Sequence, residues 1–171
     1  MSDDADYEVN TGDAGAALTV SVEAGQIRKG GYIMIKGKAC KVKDVSVSKT
    51  GKHGHAKCKF AASDIFTGAT CEELCPSTHS IDVPVVTKSN WMITGLEGDY
   101  VMLMNDEGDM REDLQLPTAM GFSTADDVNA SKLIKEYCQM VDDGAAIDIL
   151  CTVLSAIKIE KIVDIMKKDA A

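Results

Sequence analysis

The chain has 171 residues, 45% of them hydrophobic and 26% charged, with a net charge of −9 at neutral pH. That is enough apolar sequence for one moderate domain or two small ones, whereas no apolar run approaches the roughly 20 residues that cross a bilayer. The opening MSDDADYEVN has neither the basic nor the apolar segment of an export signal, so the expectation is a soluble cytoplasmic protein, without a membrane partner, whose six cysteines stay reduced.

Residues 1–17 carry Asp3, Asp4, Asp6, Glu8 and Asp13 and no basic residue, a composition that predicts a disordered acidic tail. Short β-type runs follow at 18–22, 32–35, 39–47, 55–65 and 81–86, divided by glycines and almost free of helical periodicity. They predict a small barrel over 18–84. Between the third and fourth runs lies SVSKTGKHGHAK, residues 46–57. Gly51 and Gly54 bracket Lys52 and His53 there, which predicts the tip of a long hairpin.

Pro84 cannot donate to a β ladder, and the composition changes after it, so a domain junction is placed at 84–88. The second domain, 85–168, opens with strands at 91–93, 100–104 and 110–116, separated by turns at 97–99 and 107–109, and Pro117 stops the third. A helix is predicted over 125–141: Ser123 and Thr124 supply its cap, Asp126 and Asp127 favour its first turn, and Gly144 follows its end. A core strand over 146–157 and a short amphipathic helix over 160–168 complete the reading. Strands interrupted by one helix before the last strand are the pattern of an OB-type barrel, a fold often used for oligonucleotides.

Charge is segregated along the chain. From Arg28 to Lys59 there are ten Lys/Arg and one acidic residue, Asp44, giving +9, so the rest of the chain carries −18. A local field of that size can attract a polyanion despite the acidic total. An exposed amine between glycines adds nothing to a core and costs entropy to order, which points to something outside the protein that reads Lys52. Lys49 and Lys57 are candidate flanking phosphate contacts, and His53 and His55 add hydrogen-bonding capacity.

Competing chemistry is thinner. His53, His55, Cys58, Cys71 and Cys75 lack the paired knuckle spacing of a zinc ribbon. Cys58 reads instead as a small core residue. Cys75 or Cys58 with His79 has no nucleophile motif around it, Glu72-Glu73 and Glu112-Asp113 read as solvated surface, and there is no phosphate-binding glycine fingerprint. Neither an enzyme nor a metal or organic cofactor is expected.

The segment Ser48-Lys49-Thr50-Gly51-Lys52-His53-Gly54-His55-Ala56-Lys57 resembles the hypusination loop of the eukaryotic translation initiation factor 5A family, which has archaeal relatives and is structurally similar to bacterial elongation factor P. The resemblance continues in Thr11-Gly12-Asp13-Ala14-Gly15, Asp64-Ile65-Phe66-Thr67-Gly68, Cys75-Pro76-Ser77-Thr78-His79, Asp82-Val83-Pro84 and Arg111-Glu112-Asp113-Leu114. It departs from the family at Ala69-Thr70-Cys71 and Lys158-Ile159-Glu160-Lys161, and matches loosely from Thr118 to Asp148.

The resemblance implies a mainly β protein: an N-terminal SH3-like barrel followed by a C-terminal OB-fold barrel with one inserted helix. It implies that Lys52 is the modified residue, with spermidine as aminobutyl donor to deoxyhypusine synthase and a deoxyhypusine hydroxylase completing hypusine. Lys49, Thr50, Gly51, His53, Gly54, His55 and Lys57 would then serve recognition by these enzymes and contact with RNA. It further implies a translation elongation factor bound to the ribosome between the exit and peptidyl sites. There the modified lysine would position the acceptor end of peptidyl-tRNA, relieve stalls at proline runs and assist termination. The resemblance leaves room for a homodimer. The alternative is a general RNA-binding OB-fold module that acts by charge alone.

Overall fold

A computed structural model describes residues 18–49 and 56–171. The acidic tail expected over 1–17 and the residues from Thr50 to His55 lie outside the described residues. The described chain divides into two compact units, residues 18–86 with 156–158 and residues 87–155 with 159–171, each built mainly of antiparallel strands.

In the first unit β1 (Thr19–Glu23) pairs with β6 (Ser80–Pro84). The strands β2 (Tyr32–Ile35), β3 (Lys38–Lys49), β4 (Ala56–Asp64) and β5 (Thr70–Pro76) form a four-stranded sheet in that order. Alternation sends Ile33, Ile35, Cys40, Val42, Cys58, Phe60 and Ala62 to one face, where they make the core with Ala24 and Ile27. Phe60 is fully buried, and truncating such a ring to alanine costs about 3–5 kcal/mol. Lys43 is the extra residue where the β3–β4 register shifts between Val42 and Asp44, a bulge that increases local twist and helps the sheet curl into an SH3-like half-barrel.

Two of the segments that carry the family resemblance are turns. Asp64 is buried, and its carboxylate accepts from the backbone N–H of Phe66 at 2.8 Å and of Thr67 at 3.3 Å. This Asx-type turn fixes the reversal into β5. After Pro76, the carbonyl oxygens of Ser77 and His79 each accept at 2.8 Å from the N–H groups of Gly25 and Ala24. A Cβ on Gly25 would stand 3.2 Å from the Ser77 oxygen, so a larger residue there would have to push this contact apart by a few tenths of an ångström.

The second unit contains β7 (Thr87–Glu97), β8 (Tyr100–Met104), β9 (Met110–Gln115), a 3-10 turn (Pro117–Met120), α1 (Ala125–Asp142), β10 (Ile147–Ala156) and β11 (Ile159–Asp169). The sheet order is β11-β10-β7-β8-β9, and Ile93, Val101, Leu103, Leu114, Ile149, Val153 and Ile162 fill its core with Ile134 of α1. The helix begins where capping chemistry predicts: the N–H of Asp127 donates to the Thr124 hydroxyl at 3.1 Å, and the Asp127 carboxylate accepts from the Thr124 N–H at 3.0 Å. It ends in a Schellman arrangement. Gly144, at φ 100°, donates to Val141 O, and Ala145 donates to Met140 O.

Two readings need correction. The segment 160–168, expected as a helix, is strand β11. Its apolar positions at 159, 162, 163, 165 and 166 mimic helical spacing because Asp164 adopts a left-handed conformation, φ 53°, and breaks the alternation. Strand β5 was not expected: Cys71-Glu72-Glu73-Leu74-Cys75 has too few β-branched or aromatic residues to signal a strand, and tertiary pairing with β4 overrides that weak propensity.

Candidate functional site

The ladder between β3 and β4 runs from Cys40↔Asp64 to Ser48↔Lys57 and Lys49↔Ala56. The six residues from Thr50 to His55, Lys52 among them, therefore leave and rejoin the ribbon across one rung, a Cα separation of roughly 4.5–5.5 Å. The ribbon outruns its core. Val47 is paired with Cys58, yet Val47 is 63% exposed whereas Cys58 is 1% exposed. From Ser46 to Lys49 every residue of β3 is exposed, so this end of the β3 strand stands clear of the packed core.

Register also sorts the flanking lysines. Lys57 is the rung partner of Ser48, while Lys49 is the partner of Ala56. Because successive side chains point to opposite faces, Lys49 and Lys57 stand on opposite faces of the ribbon, and Lys59, paired with Ser46, shares the face of Lys57. These two cations cannot grip one phosphate together; they bracket the ribbon.

Arg28, Lys29, Lys36, Lys38, Lys41, Lys43, Lys49, Lys57 and Lys59 are all exposed. Among the described residues the ion pairs engage Arg111, Lys132 and Lys161 and none of these nine. Arg28 spends part of its fork on the Gly25 carbonyl at 2.9 Å. Among the described residues, then, no acidic side chain is ion-paired with the cations of this segment.

The other candidate chemistry disperses. Cys75 and His79 line one polar cleft with Glu73, Lys36 and Asp82, but burial, the neighbouring Cys58 and Glu73 all push the Cys75 thiol above its ordinary pKa, the reverse of nucleophile activation. Cys58 packs in the core, as alternation predicts. Among the described residues no three His, Cys, Asp or Glu side chains gather as metal ligands. Arg111 of the Arg-Glu-Asp-Leu segment is structural: it forks between Asp113 and Glu160 and lies over Trp91 at 5.6 Å. Glu160 and Lys161, which the linear pattern made look unusual, are the residues that tie β11 to β9 and to α1.

An SH3-like half-barrel carrying an overhanging basic hairpin, followed by an OB-type barrel, defines a class of two-domain β proteins. Residues 17–79 match the family model "Translation initiation factor 5A-like, N-terminal" and residues 85–166 match "Eukaryotic elongation factor 5A hypusine, DNA-binding OB fold". The chain is 42% identical over 163 residues to eukaryotic translation initiation factor 5A-1 of Arabidopsis thaliana, covering 95% of this chain and 94% of that one. It is 40% identical over 158 residues to eukaryotic translation initiation factor 5A of Spodoptera exigua, covering 91% and 89%. A solved structure of a translation initiation factor 5A family protein from Naegleria fowleri superposes with a TM-score of 0.77 at 40% identity, over 87% of this chain and 99% of that one. The chain belongs to the translation initiation factor 5A family.

Proposed function

We propose that the protein is a hypusine-bearing elongation factor and that Lys52 is its covalent acceptor. What carries the reading is the β3–β4 register: it returns the chain at Lys49↔Ala56 on an overhanging ribbon, which suits a side chain that must reach a distant target. In this reading deoxyhypusine synthase moves the aminobutyl group of spermidine onto Lys52, with Thr50, Gly51, His53, Gly54 and His55 as its recognition surface, and the hydroxylase then adds the hydroxyl. The lysine side chain lengthens and gains a second amine and further donors.

The partner in this proposal is the ribosome between its exit and peptidyl sites, approached through the exposed lysines by long-range attraction to RNA. Lys49 and Lys57, on opposite faces, would meet different phosphates, and the modified Lys52 would hold the acceptor end of peptidyl-tRNA. In this reading the protein makes and breaks no covalent bond of the peptidyl-tRNA. It fixes the geometry of the ribosome's own reaction, and about 3 kcal/mol of positioning raises a rate roughly 10²-fold, enough to release a stall at a proline run or to assist termination. A translation extract depleted of the factor and given a proline-run reporter tests this: modified protein should restore synthesis and the Lys52→Arg variant should not. Equal rescue by both would reject the role of Lys52.

A further inference from the structure

Cys58 on β4 and Cys75 on β5 are direct cross-strand partners, and both face the first core. The N–H of Ser77 donates to Ala56 O at 2.8 Å and that of Asp64 to Ala69 O at 2.8 Å. By alternation Cys58 and Cys75 are then a hydrogen-bonded pair, with Cα atoms roughly 5.5 Å apart, inside the range of about 4.4–6.8 Å that a disulfide spans. Their access differs. Cys58 is 1% exposed, while Cys75 is half-buried and lines an open cleft of about 370 Å³ with Met34, Lys36, Glu73, His79 and Asp82. Both thiols are free.

We propose that Cys58 and Cys75 form a reversible disulfide when the protein meets a small hydroperoxide, a modification site within the domain that carries Lys52. The cleft admits the peroxide to Cys75, whose thiolate sulfur attacks one oxygen, breaking the O–O bond to leave a sulfenic acid and, with one proton, water. The Cys58 sulfur then attacks the sulfenic sulfur, expelling the hydroxyl as a second water with the Cys58 proton. Two thiols and one hydrogen peroxide thus give one disulfide and two waters. Thiol and disulfide exchange with a reductant such as glutathione restores the starting state.

The raised Cys75 pKa, caused by burial, Cys58 and Glu73, makes the first step slow at neutral pH and faster as pH rises. Directly opposed Cβ atoms are roughly 4.5–5.5 Å apart against about 3.5–4.5 Å in a disulfide, so the strands must close slightly, which favours easy reduction. The bond would fasten β5 to β4 two rungs from the Ala56 end of the ribbon.

The full-length protein treated with hydrogen peroxide, then denatured, alkylated and digested, should yield a peptide containing Cys58 joined to one containing Cys75, lighter by two hydrogens and released by dithiothreitol. Formation should quicken several-fold from neutral to mildly alkaline pH, vanish in Cys75→Ser and persist in Cys71→Ser. Joining of Cys75 to any other cysteine would overturn the proposal. So would a Cys58 that remains fully alkylatable after peroxide has consumed Cys75, or two thiols that both survive the treatment.

Discussion

Arg111 on β9 and Glu160 on β11 join the two outermost strands of the second sheet through hydrogen bonds of 2.7 and 3.1 Å. The two ends of the sheet are thereby tied together through side chains. The same guanidinium holds Asp113 at 2.7 and 2.8 Å, and this keeps the Asp113 carboxyl below its ordinary pKa. Arg111→Ala should cost about 1–3 kcal/mol, and Arg111→Lys should recover only part of it because the fork is lost. Trp91, the only tryptophan of the chain, lies under Arg111, so its fluorescence during urea unfolding reports the loss directly. An unchanged midpoint would mean that packing alone closes this barrel.

Lys161 and Asp127 form a buried pair at 2.8 Å, with side-chain exposures of 6% and 3%, and Lys161 also lies 4.9 Å from the Phe122 ring centroid. Removing one partner leaves a buried charge, so Lys161→Met should cost about 3–5 kcal/mol, while Lys161→Met with Asp127→Leu should recover a large part. That double change also removes the Asp127 half of the capping box, the acceptor of the Thr124 N–H, while the Thr124 hydroxyl still caps the helix. A double-mutant cycle by urea unfolding measures the coupling.

The same pair gives a pH signature. Burial alone would raise the Asp127 carboxyl, but Lys161 and the Thr124 contacts outweigh it and hold the pKa below the ordinary carboxylate range. A depressed native pKa adds stability that is present above the unfolded value of about 3.9 and lost as pH falls through the native value. Acid unfolding should therefore begin below about pH 4 in this unit, and Asp127→Asn should flatten that limb when it is followed by Trp91 fluorescence.

The turn from β10 to β11 places Ile157 at φ 46° and Lys158 at φ 66°. Two positive φ values are what a two-residue type I′ hairpin requires, yet a β-branched residue pays about 1–2 kcal/mol to adopt one. Replacing Ile157 and Lys158 by Asn and Gly should raise the unfolding midpoint by a corresponding amount. A lowered midpoint would show that the Ile157 side chain contributes more through packing than its backbone strain costs.

How far the sequence alone reached follows from where local signals agreed with tertiary packing. The helix over Ala125–Asp142 was legible because Thr124, Asp127 and Gly144 write both of its ends, and β2 and β8 because each is a short apolar run bounded by glycine-containing turns. Strand β11 was not, since the left-handed Asp164 disguises its period. Of the candidate site, the basic charge was legible as a run of residues. The opposite facing of Lys49 and Lys57 was not, because it depends on the bulge at Lys43 and on the register that follows it.

That opposite facing separates a modified lysine from binding by charge alone. Lys49→Ala and Lys57→Ala should each lower the salt dependence of RNA binding by roughly 0.7 in log–log slope, the value expected for one phosphate contact on a single strand. If charge is all that matters, modification at Lys52 should do no more than its added amine can, raising the slope by roughly one further phosphate contact, about 0.7, and a second cation placed elsewhere on the ribbon should replace it in translation.

The most direct test of the central claim is the mass of the peptide that contains Lys52, taken from protein made in cells that hold the synthase and the hydroxylase. The account predicts a hydroxylated aminobutyl addition on Lys52 and on no other lysine of the basic segment. An unmodified Lys52 in those cells, or the addition on Lys49 or Lys57 instead, would contradict it.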